Sequence, residues 1–281
     1  MRVFITVLLI AGTFCRSRAE ITSLVALLEQ GRIQLSPHGT GGHSGECLKV
    51  DVRNLSSSPI RTSIPPGWVF PSEKPEVQDL IVMREEVIVL APGQRRTVTC
   101  RAFCCEASHS GPAENEPFRK GHPASATLIA LAQLVDSGAY ADHIVQNAVW
   151  VLSDGNDINS TGPMDSSADD RLRNRLSALS DQPIPRYTVR YANTEQQACS
   201  RRPETISRTI AIDPSTAQHL TVVVKSDNGR VVELIHRDLL VAAGRTALPI
   251  SLNVLNWPAG RYAFYVYTTE STPVHRLPFT L

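Results

Sequence analysis

The feature that most constrains the fold of this chain is its punctuation. Cys47-Leu48-Lys49-Val50-Asp51-Val52 alternates apolar and polar side chains and breaks across Asn54 to Pro59. Ile60 to Ile64 is stopped by Pro65-Pro66-Gly67, Trp68-Val69-Phe70 by Pro71, and Val87-Ile88-Val89-Leu90 by Ala91-Pro92-Gly93. Leu80-Ile81-Val82-Met83 and the run from Arg96 to Phe103 complete the set. Such runs are too short for helices and the right length for strands, and the prolines and glycines between them supply turns. Short strands closed by frequent turns pair antiparallel and bury one face each, which predicts a β-sandwich over about residues 44–106. Ahead of it, Leu24, Leu27 and Leu28 predict a short helix ended by Gly31, and the stretch Ser36 to Gly45, rich in Gly, Ser and His, reads as a loop.

After a second polar loop, Ser108 to Pro123, the period changes from two to 3.6. Leu128, Leu131, Leu134 and Val135 mark one helix, Ile144, Ala148, Val151 and Leu152 a second, and Leu172, Leu176 and Leu179 a third. The predicted spans are about 124–137, 141–153 and 168–180, with Ser125 and Ser167 as N-cap candidates. Pro183-Ile184-Pro185 then marks a domain boundary. Beyond it the pattern is all β, including an Asn228-Gly229 hairpin between Leu220–Val224 and Val231–Ile235. The expected fold class is mainly β with a helical insertion. Residues 20–182 form a β-sandwich with a helical appendage, and 186–281 an immunoglobulin-like β-sandwich.

The first residues are of another kind. Met1-Arg2, an apolar run from Val3 to Phe14, and Arg16-Ser17-Arg18-Ala19 follow the plan of a cleavable secretory signal, residues 1–19, cut after Ala19. The apolar run is too short to span a bilayer comfortably, and no later segment is long and apolar enough. The expected location is therefore secreted or at the cell surface, in the periplasm or on the outer-membrane exterior, and not membrane-spanning. Loss of Arg2, Arg16 and Arg18 leaves 25 basic against 27 acidic residues, a balance that gives no electrostatic basis for a nucleic-acid partner. The expected partner is a surface or protein ligand.

Of six cysteines, Cys15 leaves with the signal, and Cys47, Cys100, Cys104, Cys105 and Cys199 remain. Export favours disulfides, and an odd count leaves one thiol over. Cys47 lies on the first strand and Cys100 on the last, so a Cys47–Cys100 disulfide across the sandwich is expected. Cys104 and Cys105 project to opposite faces of a strand. Cys199 is either free or tied back to one of them.

Few constellations suit catalysis. Cys100, Cys104, Cys105 and His109 match no structural zinc spacing, and Asp154-Gly155-Asn156-Asp157 lacks calcium-loop spacing and reads as a helix C-terminal turn. Gly42-His43-Ser44-Gly45 approaches a nucleophile elbow, but Glu46 stands where its last glycine belongs. No glycine loop for phosphates is present. Neither metal nor cofactor is expected, and a secreted hydrolase has no nucleophile or metal set behind it.

Three resemblances organise the chain further. Phe103-Cys104-Cys105 followed by Gln146-Asn147-Ala148-Val149-Trp150 resembles the bacterial thioester domains of surface adhesins. In that family a cysteine thiolate and a glutamine side chain condense with loss of ammonia, which implies Cys104 or Cys105 with Gln146. The stretch from about 27 to 157 is similar to a group of uncharacterised secreted proteins of the Bacteroidetes type. It carries Gly39-Thr40-Gly41-Gly42-His43-Ser44-Gly45, Gln78-Asp79-Leu80, Phe103-Cys104-Cys105 and Gln146-x-Ala-x-Trp150. Residues 206–281 carry Gly229-Arg230-Val231-Val232, Ala243-Gly244 and Pro258-Ala259-Gly260-Arg261-Tyr262, and resemble FlgD-type immunoglobulin-like modules and the C-terminal sorting domains of type IX secretion. Together these imply an exported, non-enzymatic envelope or surface protein that binds a partner or plays a structural role. The alternative is a covalent adhesin with an internal thioester.

Overall fold

The computed structural model describes residues 21–161, 167–184, 186–192, 202–268 and 273–281. The expected signal segment and Cys199 lie outside the described residues. The first module runs α1 (Leu24–Glu29), β1 (Ile33–Thr40), β2 (Ser44–Asn54), β3 (Ile60–Ile64), β4 (Trp68–Phe70), β5 (Leu80–Val82), β6 (Glu86–Leu90), β7 (Arg95–Cys104), β8 (Glu114–Pro117) and β9 (His122–Pro123). It continues with α2 (Ala126–Asp136), α3 (Asp142–Ser153), a 3₁₀ turn at Ile158–Thr161 and α4 (Ser167–Ser180). The second module holds β10 (Thr188–Tyr191), β11 (Pro203–Ile212), β12 (Gln218–Ser226), β13 (Val231–Val241), β14 (Thr246–Asn253), β15 (Arg261–Tyr267) and β16 (Pro273–Thr280). The chain is mainly β, in antiparallel sheets with a few short helices.

In the first module a seven-stranded sheet, β8-β1-β2-β7-β5-β4-β9, carries α1 and a separate β3-β6 pair on one face and α2, α3 and α4 on the other. Alternation along β7 divides two cores. Val98, Cys100, Ala102 and Cys104 point toward Ile60, Ile64, Ile88 and Leu90 of the β3-β6 pair and toward Leu27 of α1. Phe103 and, beyond the strand end, Cys105 point the other way, into Leu131 of α2, Val145 and Val149 of α3, and Leu172 and Leu176 of α4. The period-2 and period-3.6 patterns of the sequence meet across this one sheet. Ser125 caps α2, its hydroxyl accepting from the Leu128 amide at 3.4 Å.

Both segments read as polar loops contain strands. β1 runs on to Thr40 and β2 starts at Ser44, so only the tight turn between them is irregular. Pro37 and Gly39 occupy inward positions there, and a Cβ on Gly39 would sit 2.9 Å from the Ala113 carbonyl oxygen. The close approach of the neighbouring backbone explains a glycine inside a strand. The loop from Ser108 to Pro123 supplies β8 and β9, the two edges of the sheet. Edge strands bury little and carry a polar sequence, which hides them from a hydrophobic-pattern reading.

The second module is a sandwich of β10-β11-β14 against β13-β12-β15-β16. Ile206, Ile210, Val222, Val224, Leu252, Phe264 and Phe279 form its core. The Asn228-Gly229 turn joins β12 to β13, with Gly229 at φ +80° as that hairpin requires. Tyr262 stacks on Phe279 at 5.6 Å and donates its hydroxyl to Pro258 O at 2.8 Å, tying the Pro-Ala-Gly turn to the core. Trp257 packs on the same cluster, 5.2 Å from the Tyr262 ring. Among the described residues, no helix is long and apolar enough to cross a membrane.

Candidate functional site: a buried polar seam between sheet and helix

The motifs singled out in the sequence converge where β7 ends beneath α3. The Cys105 amide donates to Asp79 O at 3.0 Å, on the β5 side of the sheet. Strand alternation therefore turns the peptide groups of Cys104 to the β2 side, where β2 has run out. Ser44 is the last β2 residue in register, opposite Phe103, and beyond it His43 O lies 3.2 Å from the Cys104 amide. Gln146, buried on α3, completes the pairing. Its Oε1 accepts from Cys104 N at 3.0 Å and its Nε2 donates to Cys104 O at 2.7 Å. The side-chain amide takes the place of the missing strand's peptide group, and so spares a buried carbonyl the cost of going unpaired.

The same face of α3 carries Trp150 and Ser153, at the helical spacing that places them in line with Gln146. Trp150 Nε1 donates to Gln78 Oε1 at 3.3 Å, and Gln78 Nε2 donates to His109 O at 3.0 Å. The Ser153 hydroxyl donates to Cys105 O, and Asp154 Oδ1 accepts from the Ala107 amide at 3.2 Å. Glu106 Oε2 accepts from Asp79 N at 2.7 Å, and Asp79 Oδ1 accepts from Ser72 N at 2.8 Å. Side chains far apart in sequence thus form one network that fixes the last turn of β7 to α3 and to the start of β5.

Within this network Glu106 is electrostatically strained. Burial, aided by the charges of Asp79 and Asp154, pushes its carboxyl up to about 7. The folded state therefore holds a proton that the unfolded chain releases near pH 4.5, and this contribution to stability falls as pH rises from about 4.5 to about 7. Glu106→Gln keeps an acceptor for the Asp79 amide and removes the charge. It is expected to stabilise the protein by about 1–2 kcal/mol at pH 8, after discounting for solvent screening, and to change little at pH 5. Urea unfolding at the two pH values checks this, and an equal effect at both would show that the charge is not the cause.

The expected Cys47–Cys100 disulfide is not formed: Cys47, Cys100, Cys104 and Cys105 are all free and buried. β2 and β7 are neighbours in one sheet, not strands of opposing layers, and it is Leu48 that stands opposite Cys100. A register shift between Gly45 and Leu48 leaves the Cys47 thiol donating to Ala102 O at 3.1 Å. Burial pushes the thiols of Cys47 and Cys100 up to about 12, and it also raises those of Cys104 and Cys105 well above the ordinary thiol value. Of the thioester candidates, Gln146 and Cys104 are brought together, but through the glutamine amide and the cysteine backbone. The Cys104 side chain enters the sandwich core and that of Cys105 the helical core. Among the described residues no group of three His, Cys, Asp or Glu is placed to hold a metal. His43 lies in the β1–β2 turn and Ser44 opens β2.

Ser153, Asp154 and Glu106 were not candidates from sequence. Asp154-Gly155 carries its C-terminal-turn signal, and Gly155 adopts φ +68° there, but nothing in that signal indicates the Ala107 contact. Glu106 is a lone carboxylate after two cysteines and has no motif around it.

No protein-family model matches the chain, and no curated protein matches it. A selenomethionine-labelled β-glucosidase from Kluyveromyces marxianus is similar over 83% of this chain and 44% of that one, at 11% identity and a TM-score of 0.22. The chain spans less than half the length of that enzyme, and so slight a likeness carries no argument about fold or activity.

Proposed function

We propose that this chain is an exported, non-enzymatic protein of the cell envelope or surface that works as a binding or structural module, its second sandwich serving in display or sorting. What supports the non-enzymatic reading is the seam. Its thiols are buried and held protonated, and Gln146 is spent on the backbone of Cys104. A nucleophilic thiol needs the thiolate and access, and these four have neither. Export rests on the secretory pattern of residues 1–19.

Two experiments test this reading. N-terminal sequencing of the product released by an expressing cell is expected to begin at Glu20, and a product beginning at Met1 would count against export. Alkylation with iodoacetamide under native conditions is expected to leave Cys47, Cys100, Cys104 and Cys105 unmodified, while denaturant without reductant exposes all four. Rapid stoichiometric modification of Cys104 or Cys105 in the native protein would overturn the reading.

A second reading rests on one observation, that Gln146 and Cys104 are in contact between α3 and the end of β7. In a covalent adhesin a thiol of this pair attacks the Gln146 side-chain carbonyl carbon, the C–N bond breaks, and nitrogen leaves as ammonia. That reaction removes the donor that satisfies Cys104 O. The clamp and the thioester are therefore mutually exclusive states of one side chain.

A further inference from the structure

The outward face of the second sandwich carries polar and apolar side chains that its core does not use. Val222, Val224, Phe264 and Val266 point into the core, so their strand neighbours Val223, Lys225, Tyr265 and Tyr267 point out. The pairing sets Val223 between Tyr265 and Leu234, Lys225 between Ala263 and Val231, and Arg276 beside Tyr265. Val231 and Leu234 are large apolar side chains left exposed on this face, as is Val274 on the edge strand β16. At one end of the face a cavity of about 330 Å³ opens, and Lys225, Arg261 and Arg276 all line it.

The charged groups here are donors without acidic acceptors. Lys225 Nζ donates to the Tyr267 hydroxyl at 2.7 Å, and Arg276 Nε donates to the Tyr265 hydroxyl at 3.1 Å. Both phenol oxygens thus accept from cations. Among the described residues none of Lys225, Arg261 and Arg276 forms an ion pair, in contrast to Lys74, Arg95, Arg101 and Arg190. The outward positions of β12, β15 and β16 hold no carboxylate, and among the described lining residues of the cavity Asp227, in the hairpin turn, is the one acid. Cations that converge on one concavity focus a positive potential there, and an incoming carboxylate relieves their mutual repulsion.

We infer that this face binds a protein segment that carries both acidic and apolar side chains, with a carboxylate seated among Lys225, Arg261 and Arg276 and its apolar neighbours lying on Val231 and Leu234. The two halves of the face select that partner together. A nucleic acid or an acidic glycan would meet the cations and leave the apolar side chains without a counterpart. The rings of Tyr265 and Tyr267 stack on one another, 6.2 Å apart and 15° from parallel, and Lys225 Nζ stands 5.0 and 5.1 Å from their centroids. They therefore offer no open platform for bases, whereas their edges and the cations beside them suit a carboxylate. The inference rests on the binding-module reading and gives that module's partner a chemistry.

Ligand-observed NMR titration of the full chain at low ionic strength tests it. The probes are the peptide acetyl-Glu-Leu-Glu-Leu-Glu-amide, the same peptide with glutamine for glutamate, the same with serine for leucine, and a short oligothymidylate. The acidic and apolar peptide is expected to bind at least about tenfold tighter than its glutamine counterpart and about threefold tighter than its serine counterpart, and to weaken as salt is added. Arg261→Gln and Arg276→Gln, both at exposed positions, are each expected to weaken it about threefold, and the two together about tenfold, with the urea midpoint of the parent chain retained. Equal binding of the glutamate and glutamine peptides, equal binding of the leucine and serine peptides, unchanged binding in the double variant, oligothymidylate bound as tightly as the peptide, or no binding of any probe would each overturn the assignment. Alkylation of the same preparation does not involve this face. A chain that binds no probe and keeps its thiols unmodified loses the assignment alone, whereas a probe recovered chemically altered, as weighed by mass spectrometry, would refute the non-enzymatic reading.

Discussion

Gln146→Ala is expected to lower the free energy of unfolding by about 3 kcal/mol, among the largest effects of any single substitution in the first module. The side chain contributes two buried hydrogen bonds, and their loss is unequal. The Cys104 amide keeps His43 O at 3.2 Å, whereas Cys104 O loses the donor at 2.7 Å. An unsatisfied buried carbonyl costs about 1–3 kcal/mol, and the emptied space under α3 adds to that. Because the amide joins helix to sheet, the loss also loosens the neighbouring Trp150–Gln78 and Ser153–Cys105 contacts. Chemical denaturation of the variant measures the effect. A change below about 0.5 kcal/mol would place Gln146 outside the load path of the fold.

Gly121→Ala is the second substitution expected to cost about 3 kcal/mol. Gly121 sits at φ +80°, where a side chain is strained in any surroundings. A Cβ built there lies 2.3 Å from Val69 O and 2.5 Å from Trp68 Nε1, and backbone is the one neighbour that cannot give way. Trp68 is 2% exposed and donates Nε1 to Lys120 O at 3.3 Å, so displacement of the loop disturbs the β4–β9 edge and the ring beneath it. Strain and overpacking act together here. Thermal unfolding followed through tryptophan fluorescence is expected to show a lower midpoint and an altered native spectrum. A native spectrum and midpoint identical to those of the parent chain would refute the close packing of this loop.

What was legible in the sequence was the material with strong periodicity. The alternating run at Cys47–Val52 and the apolar runs closed by Pro65-Pro66-Gly67 and Ala91-Pro92-Gly93 carry the β class, because turn residues and period-2 burial are local signals. The leucine spacing near 128–135 and 172–179 marks helices that the structure places at Ala126–Asp136 and Ser167–Ser180. What was not legible depends on pairing. β1 looks like a loop between Ser36 and Thr40 because its proline and glycine make sense only against the backbone of Ala113. The Cys47–Cys100 expectation failed because first and last strands of a run were assumed to face each other across two layers, and sheet order makes them neighbours instead.

The candidate site divides in the same way. Gln146, Cys104 and Trp150 stand in the motifs that carry the resemblance to thioester domains, and the structure brings them into one network. Their roles follow from where β2 stops, a register event that no local motif encodes. Gln78 and Asp79 belong to the same network from another part of the chain, and Glu106 enters it with no sequence signal at all. Recognition of residue types was therefore sufficient to locate the seam and insufficient to decide between a reactive bond and a backbone clamp.

That decision is central to the account, and intact mass of the mature protein under denaturing, non-reducing conditions, with and without methylamine, tests it most directly. The clamp predicts a mass that retains the Gln146 amide, with Cys47, Cys100, Cys104 and Cys105 as free thiols, and no change on exposure to methylamine. A mass short by one ammonia, restored as a methylamine adduct and abolished in Gln146→Ala, would contradict it and establish a thioester.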